Sequence, residues 1–198
     1  PLAHWPFATP IQAVTNTHPE YRQAIDAIVR DYGVGVVVVS SLIGHALDVL
    51  DTGLPTLVVN HDYFPLCPTI NLHFGEVCRQ CGDARLAECA AHNPNFNPFP
   101  TLSVAERLRV RTRYLECVTR KGTVMVVPDE SVRAQLLQVF PALREAAFVT
   151  IPPGADRLPS IGSAADGSNG RLRVVVLGIL PAHKGLQLLV EALPRLLE

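Results

Sequence analysis

Short apolar segments that alternate with amphipathic ones constrain the fold of this chain more than any other feature. The stretch Val34 to Val39, with valine at every position from Val36 on, has strand length and carries no polar residue. It predicts a strand buried on both faces of a parallel sheet, because a half-exposed strand would alternate polar with apolar. Pro55 to Asn60, Thr123 to Val127, Ala147 to Ile151 and Leu172 to Leu177 read as further strands. Helical segments stand between them. Thr17-His18-Pro19-Glu20 opens one, with Thr17 as the cap, Pro19 in the first turn and Glu20 three residues after the cap. A stripe of Tyr21, Ala24, Ile25, Ile28 and Val29 continues it to Gly33. Leu42 to Leu50 predicts a short helix stopped near Gly53. Ser103-Val104-Ala105-Glu106 is a capping box whose helix runs to Arg120, and Asp129 to Val139 is a helix closed by Pro141. Lys184 to Leu197 is a last helix, with Leu188, Leu189, Ala192, Leu193 and Leu196 on one face. Strand then helix, repeated, means an α/β fold: a parallel sheet with helices on both faces.

Composition narrows the function classes. With 198 residues, 48% hydrophobic and 18% charged, the chain can build a packed core and does not read as disordered. A net charge of −1 gives no electrostatic case for nucleic acid or an anionic membrane surface as partner. No apolar run approaches the roughly 20 residues of a membrane span. The start, Pro1-Leu2-Ala3-His4-Trp5, lacks a basic region followed by an apolar one, so no signal peptide is expected. It also lacks an initiator Met, which reads as an excised or processed chain.

From His61 to about Pro100 the alternation stops, and an irregular segment rich in Cys and Pro is expected. An irregular loop this long is uncommon inside a domain unless it is functional or clamped. Four of the five cysteines lie here: Cys67, Cys78, Cys81 and Cys89. Cys78-x-x-Cys81 has the spacing that lets two thiolates share one metal, and Cys67 and Cys89 complete a tetrahedral set for structural zinc. His73 and His92 are substitute ligands. The alternative is a set of reduced or disulfide-paired cysteines without metal. No neighbouring base marks any of them as a catalytic thiol, and Cys117, inside a helix, reads as core. Residues 157–171, rich in Ser, Gly, Asp and Asn, read as a linker. Gly33 and Gly35 precede their strand, whereas dinucleotide-binding glycines follow one, which argues against an NAD enzyme.

Four motifs resemble the group 1 (family 4) glycosyltransferases. They are Gly53-Leu54-Pro55-Thr56-Leu57-Val58-Val59-Asn60-His61-Asp62-Tyr63-Phe64 with Cys67-Pro68 and Asn71-Leu72, then Val126-Val127-Pro128-Asp129-Glu130-Ser131-Val132. Ile151-Pro152-Pro153-Gly154-Ala155-Asp156 and Val176-Leu177-Gly178-Ile179-Leu180-Pro181-Ala182-His183-Lys184-Gly185 follow in the family's order. The resemblance covers about residues 34 to 198. It implies a GT-B architecture of Rossmann-like domains. Residues 1–156 would be part of the acceptor-side domain, 157–171 a linker, and 172–198 the first strand-helix unit of the donor-binding domain. It implies transfer of a sugar from a nucleotide-diphosphate sugar to a glycan or lipid-linked acceptor, with retention of configuration. No catalytic divalent ion is implied, so any zinc would be structural. The family's arginine is replaced here by Ile179, which removes one cation from the diphosphate grip.

The residues have readings of their own. His61 follows the carboxyl end of a predicted strand, where open α/β sheets place ligands. The resemblance puts it by the donor sugar; a loop histidine bonded to backbone is the alternative. Asp62 either orients His61 or caps the following turn. Lys184 stands at a turn-to-helix junction, where an ammonium and a helix N-terminus can converge on phosphate, or else it simply begins a surface helix. The resemblance adds Gly178 and Gly185 to that donor-binding turn. His45 either faces the same cleft or lies on a helix surface. The rival function is a non-catalytic, metal-clamped binding or assembly module; a sugar-phosphate epimerase or a phosphorylase on the same fold is a third. Clustered thiols and the missing signal give a cytoplasmic expectation, with peripheral membrane contact left open.

Overall fold

The β-branched segments find one another as parallel neighbours, and the rest of the chain is arranged around that pairing. A computed structural model describes residues 4–94, 99, 102–154 and 185–196. Along the chain come β1 (Val14–Thr15), α1 (Pro19–Tyr32), β2 (Val37–Val39), β3 (His45–Ala46) and β4 (Thr56–Val59). Then follow β5 (His73–Phe74), β6 (Glu76–Val77), α2 (Asp83–His92), α3 (Val104–Val118), β7 (Thr123–Val127), α4 (Glu130–Val139) and β8 (Ala147–Thr150). These belong to one compact unit, Pro1–Pro153; a second, Gly154–Glu198, contains α5 (Leu186–Ala192).

β2, β4, β7 and β8 form a parallel sheet in that order, with Val39 opposite Val58, Val58 opposite Met125 and Met125 opposite Phe148. Each crossover steps the same way, so right-handed connections fall on one face. That face is the core. Val39, Val58, Met125 and Val127 pack with Val110, Tyr114, Cys117 and Val118 of α3 and with Leu136 and Val139 of α4. The expectation that Val34 to Val39 is buried on both faces is corrected: Val38 is 61% exposed and Val36 54%. β2 is one of the two edge strands of this sheet among the described residues, and the crossovers lie on the face opposite Val38. An all-valine segment reports strand propensity, not how many layers will cover it.

The helix starts show where local signals suffice. Ser103 and Glu106 make the reciprocal capping box: Glu106 N–H donates to Ser103 Oγ at 3.3 Å, and Ser103 N–H donates to Glu106 Oε2 at 2.8 Å. α3 ends at Val118, two residues short of the expected Arg120, and the Thr119 hydroxyl donates back to Leu115 O. Asp129 caps α4 by accepting from Ser131 N–H. In α1 the cap is His18, not Thr17: His18 Nδ1 accepts from Tyr21 N–H at 3.2 Å, so Nε2–H donates to Thr9 O at 2.8 Å. The Thr17 hydroxyl donates instead to Asp48, whose other oxygen takes His18 N–H at 2.7 Å. A carboxylate distant in sequence thus serves this helix start and outcompetes the local cap. Gly33 ends α1 in the left-handed region, as its position predicted.

The expected helix over Leu42 to Leu50 is absent. β3 pairs there in parallel with β1, and a 3-10 turn spans Leu47–Leu50. Gly44, at φ 78°, turns the chain so that its N–H reaches Ala13 O, a partner no local pattern reveals. The expected irregular stretch from His61 to Pro100 also holds more order than expected: the β5–β6 hairpin and α2. Leu66, Leu72 and Leu86 are each at most 2% exposed and pin it down. Arg111 of α3 completes the clamp from within. Its Nε donates to Leu66 O at 2.9 Å and Nη1 to Cys81 O at 2.8 Å, while the guanidinium lies 5.2 Å from the Phe140 ring centre.

On the far side of α3, Asp51 receives Arg113 and Arg120. Burial alone would raise the Asp51 carboxyl, but the Arg120 hydrogen bond and the charges of Arg120, Arg113 and Arg22 hold it below the usual carboxylate value.

In the second unit the helix expected over Lys184 to Leu197 is α5 followed by a 3-10 turn at Pro194–Leu196, where proline cannot continue the α-helical ladder. The expected linker 157–171 and strand Leu172 to Leu177 lie outside the described residues. No helix among the described residues is long and apolar enough to cross a membrane.

Removing the capping hydroxyl in Ser103→Ala is expected to lower stability by about 1 kcal/mol, read from urea denaturation, and Ser103→Thr to restore most of it. Equal midpoints for the wild type and Ser103→Ala would show that the cap contributes nothing.

Candidate functional site

Where β2 and β4 end side by side, their chains diverge into Ser40-Ser41-Leu42 and Asn60-His61-Asp62. A cleft of ≈ 60 Å³ opens between them, floored by Val39 and Val58 and closed by Phe64 and Tyr114. The carboxyl edge of a parallel sheet is a natural ligand position, since successive loops splay apart there and leave backbone groups facing solvent.

Each wall has a definite cause. Asn60 is 9% exposed, and its amide donates to Val58 O at 3.1 Å and Val126 O at 3.0 Å, tying the end of β4 to β7. Asn60 N–H also donates to Val126 O, so the strand stays paired up to the residue before His61. His61 therefore leaves a fixed base and points to solvent. Its Nε2 stands 2.9 Å from Ser40 Oγ, a contact across two strand ends that sets the imidazole's direction. Asp62 does not reach His61: its Oδ1 accepts from Phe64 N–H at 2.7 Å, closing the next turn. Of the two roles open to it, turn-capping is the one its geometry serves. Tyr114 lies under the cleft, wholly buried; burial pushes its phenol strongly upward, and the Asp62 charge adds to this, so it stays protonated at neutral pH. An exposed imidazole, two hydroxyls, a carboxylate and a neutral phenol give a polar cleft able to bind and orient hydroxyl groups. At this size it cannot enclose a drug-sized ligand, which takes roughly 300 Å³ or more.

The other expected site residues scatter. His45 is exposed in β3 and outside the cleft, with Nδ1 3.0 Å from the Tyr21 hydroxyl. Burial, then the Asp48 charge, pushes that hydroxyl up to about 12. Gly178 and Lys184 lie outside the described residues. Gly185, at φ 90°, precedes α5. All five cysteines are free thiols. Burial, with the charges of Cys67, Cys81 and Cys89, pushes Cys78 up to about 11, which makes it a poor nucleophile. Cys117 is fully buried in the core, as expected. Among the described residues no three His, Cys, Asp or Glu side chains are disposed to hold a metal ion as they stand.

Sequence reasoning missed Ser40, Asn60 and Tyr114. The rule that located His61, a polar residue directly after a predicted strand, applies equally to Ser40 after Val39 and would have found it. Tyr114 carried no signal, since a helical tyrosine in an amphipathic stripe reads as core.

No family model, no curated protein and no solved structure matches this chain.

Asn60→Ala is expected to lower stability by about 1–3 kcal/mol in chemical denaturation, because two buried carbonyls lose a donor. Exposed Ser40→Ala should stay within about 0.5 kcal/mol of wild type. A reversed order would mean that the cleft's rigidity is not seated in Asn60.

Proposed function

We propose that this chain is the acceptor-side part, with the opening of the donor-binding part, of a retaining glycosyltransferase of the GT-B kind. It acts on a nucleotide-diphosphate sugar and a glycan or lipid-linked acceptor. The observation that carries this reading is the Ser40–His61 pair at the carboxyl ends of two adjacent parallel strands, with His61 inside the motif that resembles the group 1 enzymes.

In such a transfer the bond from the sugar C1 to the diphosphate oxygen breaks, and a bond from C1 to the acceptor oxygen forms. Negative charge grows on the departing diphosphate, and catalysis rests on groups already aimed at it. His61, directed by Ser40, presents one imidazole nitrogen to the hydroxyls of a sugar in the cleft and orients it. Asp62 shapes the turn that carries His61. Lys184, with the Gly178 and Gly185 turn, supplies the cation for the diphosphate. The small size of the cleft suits polar contacts to sugar hydroxyls rather than enclosure of a whole nucleotide sugar.

The test uses the longest natural protein containing this chain, incubated with a panel of nucleotide sugars while nucleotide release is recorded. Release is expected with one donor. His61→Ala and Lys184→Ala should each reduce it by about 100-fold or more, with the folded state intact by circular dichroism. Absence of both release and donor binding across the panel would reject the transferase reading in favour of a non-catalytic module.

A further inference from the structure

We infer that Tyr114 and Asn60, at the base of the cleft, read one hydroxyl group of a sugar: the Tyr114 phenol donates to its oxygen, and Asn60 Oδ1 accepts its proton. The inference deepens the glycosyltransferase reading and rests on it only for the choice of a sugar as ligand.

Alternation along β4 puts Thr56, Val58 and Asn60 on one buried face of the sheet, the face on which α3 packs. Asn60 ends that row, directly after the last strand residue, and Tyr114 comes to the same cleft from α3. Both side chains are held firmly. Tyr114 is 1% exposed within the core, and Asn60 is 9% exposed.

Each has one polar group left over. Asn60 Nδ2 donates to Val58 O and to Val126 O. Backbone carbonyls cannot donate, so the amide nitrogen is fixed on that side and Oδ1 on the other. Among the described residues no side-chain or backbone group donates to Oδ1, and no hydrogen bond reaches the Tyr114 hydroxyl. The side-chain polar atoms there that are both enclosed and unbonded are Asn16 Oδ1 and Arg133 Nε. The two cleft groups are unbonded but not enclosed, so each meets open space.

A tyrosine whose hydroxyl bonds nothing packs no better than phenylalanine, and buried tyrosine hydroxyls usually have a partner. Burial keeps this phenol protonated at neutral pH, which makes it a donor. Asn60 Oδ1 can only accept. One donor and one acceptor in one cleft are the complement of a hydroxyl, which accepts and donates at once. A carboxylate or a phosphate dianion would face the Asn60 oxygen with no proton to give. The cleft, at ≈ 60 Å³, exceeds the roughly 10–15 Å³ that one water needs and falls well short of a whole ligand, so the edge of a ring enters. His61, in the wall of the same cleft, is left for a neighbouring hydroxyl. A sugar without the hydroxyl strands both groups, and unpaired buried groups are what make such a site selective.

The test reads sugar binding, not transfer. The longest natural protein containing this chain, labelled with carbon-13 in its tyrosine rings, is titrated with the methyl glycosides of glucose, galactose and mannose. The Tyr114 signal, assigned by its absence from Tyr114→Phe, should shift with at least one of them. Tyr114→Phe should weaken binding of that sugar by about 5-fold to 100-fold. Its urea midpoint should stay at or above that of wild type, since no bond within the protein is lost. One deoxy analogue of the sugar should bind wild type and Tyr114→Phe equally weakly, whereas the others still distinguish them. No shift with any sugar, equal binding of the parent sugar by both proteins, a lowered midpoint in Tyr114→Phe, or deoxy analogues that all behave alike would each overturn the inference. Selective sugar binding in a protein that releases no nucleotide from any donor would uphold it and reject the transferase reading alone.

Discussion

Arg111 is the contact on which the arrangement turns. A buried guanidinium costs several kcal/mol unless its donors are met, and here they are met by the carbonyls of Leu66 and Cys81 and by the Cys81 sulfur. All of these acceptors belong to the segment that follows β4. The same helix presents Val110, Tyr114 and Cys117 to the sheet. One helix therefore fixes the core and the long segment above it together. Displacing the segment would strand the charge, so the segment is ordered without being long in regular structure.

The cleft inherits that order. Its floor is the end of the parallel sheet, where Asn60 keeps β4 registered on β7. Phe64, which sits in the turn closed by Asp62, lines the cleft as well, and Tyr114, from the helix that carries Arg111, lies beneath it. His61 stands between two rigid anchors and needs only the Ser40 hydroxyl to set its direction. A site built this way presents an imidazole at a defined angle while staying open to solvent.

Asp48 does for α1 what Arg111 does for the loop. It is buried, receives Thr17 and His18, and pairs with Arg22 at 3.5 Å. Both devices are single charged side chains that gather donors or acceptors from segments far apart in sequence. Neither has a local signature: Asp48 reads as one acidic residue in an apolar stretch, and Arg111 as one of several arginines along α3.

Strand cores and helix starts with neighbouring partners were legible in the sequence. β4 and β7 follow from runs of β-branched residues, α3 from Ser103 and Glu106, α4 from Asp129, and the end of α1 from Gly33, because each depends on interactions within a few residues. His61 was legible too, as the polar residue closing a strand. What the sequence alone misjudged depends on partners brought from a distance. The apolar Leu42–Leu50 segment gave up a helix because β1 offered backbone bonds to β3. Thr17 lost the cap because Asp48 arrived from 31 residues away. Val38 stayed exposed because every crossover falls on the opposite face of the sheet. Ser40 meets His61 only because β2 and β4 pair in one register. Local free energies select the elements; pairing and burial, whose terms exist only once the chain is closed, decide which face is covered and which side chains meet.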